Sequence, residues 1–318
     1  MISYEKNLLE FGRQLSFKKL AFYFLEKLAG AKPDGVVVCG MGGSGIPGTI
    51  LKKLAGELGI PVPTVSVRDR TLPRLFFKKP LFIFVSFSGE TAETIANLKS
   101  ALAYKSGADV AIVTAGGKLK SIAQEKRLPL VTFHPENLTS REASGTMFYG
   151  LIKILKVILP VKVSSFESLN ANKFKGPGKK LAEAAKNRNV LVYTDSNFSH
   201  LGCIWKTNLN ETAKVPAFTN VYPELNHNEI AGFEKGKSDW IIFWLKDKIS
   251  SGTDRKIKLA AKILRKRGIK SVEIPLMGKN KSEKTWNGIA LSHWIAFYLA
   301  KANGVDLRKT KIIKQLKK

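Results

Sequence analysis

Two apolar runs in the first half of the chain, Val36 to Cys39 and Leu81 to Val85, each break into a loop of small residues and then a segment of helical periodicity. The loops read Gly40-Met41-Gly42-Gly43-Ser44-Gly45 and Ser86-Phe87-Ser88-Gly89-Glu90-Thr91. A strand buried on both faces, a tight turn and a helix are the repeating parts of a parallel sheet, so the pattern restricts the architecture sharply. Consecutive glycines let backbone N–H groups approach an anion closely, and serine or threonine hydroxyls add donors beside them. Two such loops at the same end of their strands predict a small phosphorylated ligand held from both sides.

The predicted order of the first half is an amphipathic helix near Glu5 to Leu28, strand 35–39, a helix near 46–58, strand 64–67 and strand 81–85. A helix near 91–104, strand 110–113, a short helix, strand 130–133 and a long helix from Arg141 to Ile158 follow. Between Pro160 and Lys180 the pattern lapses among Gly176, Pro177 and Gly178, which reads as an interdomain connection. The second half restarts with strand 190–193, a helix from Ser199 to Thr212, strand 240–245, helix 253–267, strand 271–275 and helix 284–302. The expectation is an α/β protein of two subdomains, 1–160 and 161–318, each a parallel sheet flanked by helices. The first strand of the second half ends in Thr194-Asp195-Ser196-Asn197, without glycines, so one phosphate site per chain is expected.

Composition narrows the class. At 318 residues with 44% hydrophobic content, the chain is long enough for two full cores. Its apolar stretches are too short or too interrupted to cross a bilayer, and Glu5, Lys6, Glu10 and Arg13 near the start leave no signal-peptide core. A cytoplasmic protein without membrane contact is expected. The two cysteines, Cys39 and Cys203, lack metal or redox spacing, and Cys39 ends a strand as a reduced core thiol. The net charge of +28 is spread over nearly every helix, and no basic run carries interleaved stacking aromatics. Charge spread in this way gives weak non-specific contact at most, so no specific nucleic-acid partner is expected.

The first loop also fits G-x-G-x-x-G through Gly40, Gly42 and Gly45, the dinucleotide fingerprint. The acidic residue which that fold places on the ribose would be Asp69, beside Arg68, later in the chain than the pattern wants, and the second loop would have no task. A Walker A loop is excluded, because no lysine follows Gly45.

The pairing of Gly40–Gly45 with Ser86 to Thr94 resembles the sugar isomerase (SIS) fold. The strings Trp205-Lys206-Thr207-Asn208-Leu209-Asn210-Glu211-Thr212-Ala213-Lys214 and Pro223-Glu224-Leu225-Asn226-His227-Asn228-Glu229-Ile230 look like the bifunctional phosphoglucose/phosphomannose isomerases. The resemblance implies a metal-independent aldose–ketose isomerase without cofactor, moving a proton between C1 and C2 of a hexose 6-phosphate through an enediol. Gly42, Gly43, Ser44, Ser86, Ser88 and Thr91 would grip the phosphate. Such a reaction needs a carboxylate over C1 and C2, and the resemblance puts Glu211 there. It assigns ring opening to His227, reaching the site from the neighbouring subunit of a homodimer, as imidazole chemistry near neutrality allows. Arg141, in Thr139-Ser140-Arg141-Glu142-Ala143, takes the position that stabilises the enediolate. His134, His200 and His293 read as structural.

The tail departs from the family. Val305-Asp306-Leu307-Arg308-Lys309-Thr310 keeps the aspartate of the family's D-P-x-P-V segment and loses both prolines, while Ile313 to Lys317 survives. Lys317 aligns with a lysine that assists at the ring, and Thr310 with a small residue that admits either C2 epimer. Two other readings stay open: a non-catalytic sugar-phosphate-binding regulator, which would not need Glu211 and His227 together, and an NAD(P)-dependent dehydrogenase using the Gly40–Gly45 loop alone.

Overall fold

In the computed structural model the described residues are 2–16, 20–104, 107–135, 137–162, 169–236, 239–247 and 251–316. They form two compact units, one of Leu9–Leu169 and one of Met1–Leu8 with Asn170–Lys318. Helix α1 (Ile2–Leu9) thus packs almost entirely with the second unit, where the Tyr4 ring stacks on Phe297 at 6.0 Å.

The first unit is built on β1 (Leu20–Tyr23), β2 (Gly35–Cys39), β3 (Thr64–Val67), β4 (Pro80–Ser86), β5 (Asp109–Thr114) and β6 (Leu130–Phe133). Their order across the sheet is β1-β6-β5-β4-β2-β3, and all neighbours run parallel except β1 against β6. Every residue of β2 and β4 is buried, as expected for strands covered on both faces. Helices α2 (Ile46–Leu54), α3 (Ala92–Leu102), α4 (Gly117–Glu125) and α5 (Ser144–Ile158) follow their strands.

The long N-terminal helix expected over Glu5 to Leu28 does not form. Leu20-Ala21-Phe22-Tyr23 carries strand-favouring aromatics and pairs with the free edge of β6, so tertiary pairing overrides the local helical pattern.

The second unit carries α6 (Lys175–Ala185), β7 (Asn189–Asp195), α7 (Ser199–Asn208), β8 (Ala217–Tyr222), β9 (Trp240–Lys246), α8 (Ser251–Lys266), β10 (Lys270–Pro275), α9 (Lys281–Ala302) and α10 (Lys311–Gln315). Its four strands are all parallel, in the order β10-β9-β7-β8. The expected connection around Gly176-Pro177-Gly178 is in fact the first turn of α6, where a proline's missing N–H has no helical partner to lose. Helix α9 is buried nearly all round and is the core element of this unit. His293 lies on it, and His200 Nε2 meets Thr285 Oγ1 at 2.8 Å, so both histidines are internal. His134 is exposed just after β6. No helix among the described residues is long and apolar enough to cross a membrane.

Candidate active site

In the first unit β2 connects through α2 to β3 on one side, and β4 connects through α3 to β5 on the other. The two connections diverge at adjacent strands, which opens a crevice at the carboxyl ends of β2 and β4. Both small-residue loops lie there. The Ser44 hydroxyl, almost fully buried, accepts from the Phe87 amide at 2.9 Å and so joins one loop to the other. Gly42 adopts a left-handed φ of +52°, and Gly43 to Gly45 run through a 3₁₀ turn into α2.

In the second loop the Ser86 hydroxyl accepts from the Gly89 amide at 3.1 Å and meets Thr91 Oγ1 at 3.1 Å. Thr91 is the N-cap of α3 but caps none of that helix's own amides. The first N–H groups of α3 are thus among the donors near the crevice. Ser88 is exposed and accepts from the Glu90 amide at 3.2 Å. Glu90, the one acidic residue in the loop, is engaged by Lys118. Its Oε1 accepts from the Lys118 amide at 2.9 Å, in the first turn of α4, and Oε2 pairs with the Lys118 ammonium at 3.7 Å.

Arg141 comes to the same crevice. A reciprocal pair of bonds, Thr139 N–H to Glu142 Oε2 at 3.0 Å and Glu142 N–H to Thr139 Oγ1 at 3.4 Å, locks the turn that leads into α5. Arg141 within it is only 3% exposed. The turn packs so closely on the glycine loop that a Cβ on Gly43 would lie 2.6 Å from Ser140 Oγ and 2.9 Å from the Arg141 nitrogen. Gly43 is therefore required by close approach of two backbones.

Sequence reasoning missed Arg68 as part of this site. Its Nη2 donates to the Gly42 carbonyl at 3.1 Å, and its Nε stands close enough that a Cβ on Gly45 would clash with it. The position after β3 where a dinucleotide site would put a carboxylate toward the ligand thus presents a guanidinium. The Asp69 carboxylate accepts from the adjacent Arg70 amide at 2.6 Å.

In the second unit the corresponding switch lies between β7 and β9, whose carboxyl ends carry Asp195 and Lys246-Asp247. Asp195 accepts from the Asn197 and Phe198 amides, and burial holds its carboxyl above the usual carboxylate range. Lys246 bridges Asp254 at 2.5 Å and Glu273 at 2.9 Å, and Lys284 pairs with Asp247 at 2.5 Å. The lysines there are already engaged by carboxylates, so this edge is poorly suited to a phosphate.

Glu211 is not on the α-helix expected up to Thr212. Helix α7 ends at Asn208, and Leu209–Ala213 form a π-helical turn, a distortion frequent at functional positions. The turn is pinned on several sides. Asn210 Oδ1 accepts from the Ala217 amide at 2.7 Å, Asn303 Nδ2 donates to the Ala213 carbonyl at 3.2 Å, and the Lys214 ammonium donates to the Glu211 carbonyl. Lys214 itself takes a left-handed φ of +58°. Helix α7 is in turn fixed to α9 by Trp205 Nε1 on the Gly288 carbonyl at 2.9 Å and Asn208 Nδ2 on Ser292 Oγ at 2.8 Å. Glu211 is half-buried.

His227 ends a 3₁₀ turn, Glu224–His227, and is exposed. The strand preceding it, β8, was absent from the sequence reading. Ala217-Phe218-Thr219-Asn220-Val221-Tyr222, framed by Pro216 and Pro223, is rich enough in aromatic and β-branched residues to have marked it. The consequence is geometric. Glu211 precedes β8 and His227 follows it, so the two lie at opposite ends of a strand roughly 17 Å long at ~3.3 Å per residue.

The tail turn holds without its prolines. Asp306 Oδ1 accepts from the Arg308 and Lys309 amides at 2.9 Å each, and Leu307 is buried. Thr310, half-buried, is the N-cap residue of α10, whose Ile312 is exposed, as is the C-cap residue Leu316. Lys317 lies outside the described residues. Among the described residues, no three His, Cys, Asp or Glu side chains cluster so as to hold a metal ion.

Residues 174–318 match the family described as the bacterial phospho-glucose isomerase C-terminal SIS domain. Curated bifunctional phosphoglucose/phosphomannose isomerases match at 26–30% identity over most of the chain. That of Caldicellulosiruptor bescii is 30% identical over 288 residues, 84% of either chain. A D-glucosamine-6-phosphate 4-epimerase of Sulfolobus acidocaldarius is 31% identical over 216 residues, 66% of this chain and 67% of that one. Among solved structures, the C-terminal domain of glucosamine-fructose-6-phosphate aminotransferase from Francisella tularensis superposes with a TM-score of 0.73 at 15% identity. That superposition covers 96% of this chain and 98% of that one, and places the fold among the SIS proteins.

Proposed function

Because the chain belongs to the bifunctional phosphoglucose/phosphomannose isomerase family, and is an isomerase, we propose that it interconverts glucose 6-phosphate, and mannose 6-phosphate, with fructose 6-phosphate through an enediol, without a metal. The observation that carries this reading is the crevice at β2 and β4, where the two donor-rich loops are joined and the turn carrying the buried Arg141 packs on Gly43, while the Glu90 carboxylate is engaged by Lys118. Gly42, Gly43, Ser44, Ser86, Ser88 and Thr91 anchor the phosphate. Arg141 offers a fixed charge to the enediolate, a gain made only as charge develops. Glu211 carries the proton between C1 and C2, His227 opens the ring, and Thr310 and Lys317 meet the sugar.

A homodimer belongs to the same proposal. Glu211 and His227 flank opposite ends of β8, so a hexose that needs both draws them from two copies of the chain. Assay of the purified protein with both aldose 6-phosphates, with and without EDTA, tests the reading. Fructose 6-phosphate should form from each at equal rates in either buffer. No product from either aldose, or activity that depends on added zinc, refutes it. A second reading, epimerisation at C4 of an amino-hexose phosphate, takes its support from the Sulfolobus relative alone. Glucosamine 6-phosphate in the same assay should remain unchanged.

A further inference from the structure

His227 sits exposed between two anchors of different kinds. Two residues before it, Leu225 is fully buried in the apolar cluster of Tyr193, Tyr222, Ile242 and Trp244. Two residues after it, the Glu229 carboxylate is held by two strands at once. Tyr193 Oη, from β7, donates to Glu229 Oε1 at 2.6 Å, and Asn220 Nδ2, from β8, donates to Oε2. Asn228 between them accepts from the Glu229 amide and donates to Glu224 Oε1 at 3.1 Å.

Tyr193 is itself immobile. Its ring is fully buried and packs edge-on against Trp244 with centroids 4.9 Å apart. Burial first, and the Glu229 bond second, push its hydroxyl above the ordinary phenol range, so it stays protonated and donating. A charge-assisted bond from a fixed donor is stronger than a neutral one. An acid on a surface turn could have met water or one of the chain's many lysines. Here it is turned inward to brace a short irregular segment on which the His227 imidazole stands exposed, beside Glu224 and Asn228.

We propose that Glu229, held by Tyr193 and Asn220, is the positioning residue that fixes the His227 imidazole for ring opening. The inference rests on the role given to His227 above. It adds that the 3₁₀ segment is a rigid presenter, and that the sheet, through one carboxylate, sets where the imidazole stands. General acid–base groups tolerate little displacement, since a shift of about 1 Å can cost about 100-fold in rate.

The test is a double-mutant cycle on kcat with glucose 6-phosphate, using Glu229→Ala, His227→Ala and both together. Glu229→Ala should lower kcat about 10- to 100-fold, with KM within about twofold because the phosphate loops are untouched. Inhibition by an acyclic five-carbon aldonate 5-phosphate, which resembles the enediolate and needs no ring opening, should be unchanged. In the His227→Ala background the Glu229 substitution should have no further effect, because its benefit passes through the imidazole. Glu229→Gln, which keeps an acceptor for Tyr193, should recover part of the loss. Wild-type kcat in Glu229→Ala, or its full loss persisting without His227, overturns the proposal. Near-normal kcat in His227→Ala overturns instead the reading on which it rests. Should Glu229→Ala lack the wild-type circular-dichroism spectrum, Tyr193→Phe is read in its place, with a loss of about 10-fold from one bond to a charged group expected and wild-type kcat counting against.

Discussion

Gly43→Ala puts a single methyl where two backbones meet. Its Cβ would fall 2.6 Å from Ser140 Oγ, 2.9 Å from the Ser140 carbonyl carbon and 2.9 Å from the Arg141 nitrogen. The hydroxyl can rotate away. The two backbone atoms must retreat by about 0.5 Å to reach ordinary contact at 3.4 Å. Overpacking of this kind costs about 1–3 kcal/mol, and each kcal/mol lowers Tm by roughly 2–4 °C in a unit of this size. The retreating segment is the Arg141 turn, which the Thr139–Glu142 bonds keep from bending locally, so the guanidinium moves with it. A shift of about 0.5 Å, half of the ~1 Å that costs about 100-fold, predicts a kcat loss of about 10-fold. Gly42→Ala is the comparison: its φ is +52° but nothing lies within 4 Å of the added carbon. It pays only the left-handed strain of about 1–2 kcal/mol and should lose far less kcat. Thermal melts with kcat and KM for both variants decide the matter. Equal kcat losses in the two, or wild-type turnover in Gly43→Ala, would refute a functional contact between the glycine loop and Arg141.

Other outcomes follow from the same geometry. Ser88→Ala should raise KM for the hexose 6-phosphates about 10-fold or more from one lost bond to a charged group, with kcat little changed; an unaltered KM removes Ser88 from the phosphate site. Asp195→Asn keeps the cap on Asn197 and Phe198 and removes a charge that burial disfavours. The wild-type penalty is present above the raised folded pKa and gone below the unfolded value of about 3.9. Asp195→Asn should therefore raise Tm by a few degrees at pH 7, a gain that fades as the pH falls toward 4; a gain that grows on acidification contradicts the sign. Cys39 is fully buried and its thiol is pushed up to about 12, whereas Cys203 is half-buried. A disulfide reagent at pH 8 should modify Cys203 first and Cys39 only in denaturant, and early labelling of Cys39 would show that the β2 core opens.

How much of this was legible beforehand differs by element. The apolar runs of β2 and β4 were readable because burial on both faces leaves a nearly uninterrupted apolar signal, and the short strands 64–67 and 130–133 because valine, threonine and phenylalanine favour extended backbone. The two loops were readable because glycines and hydroxyls at a strand's end carry their chemistry locally. What escaped depends on partners distant in sequence. Leu20 to Tyr23 becomes a strand only because Leu130 to Phe133 of β6, far along the chain, offers an edge. The π turn at Glu211 follows from bonds to Ala217 and Asn303, neither of which any helical period announces. Arg68 looked like a misplaced dinucleotide residue until the sheet order brought β3 beside β2. The bracing of Glu229 needs strands β7 and β8 side by side, and β8 went unread.

The claim at the centre is that one side chain, the Glu211 carboxylate, moves the proton between C1 and C2. Glucose 6-phosphate in D2O with EDTA present, followed by NMR, measures that directly for the wild type and for Glu211→Gln. The wild type should form fructose 6-phosphate and place deuterium on the carbons involved, while Glu211→Gln should bind substrate with kcat lower by about 10²- to 10⁴-fold. Turnover and deuterium uptake at near wild-type rates in Glu211→Gln would contradict the account.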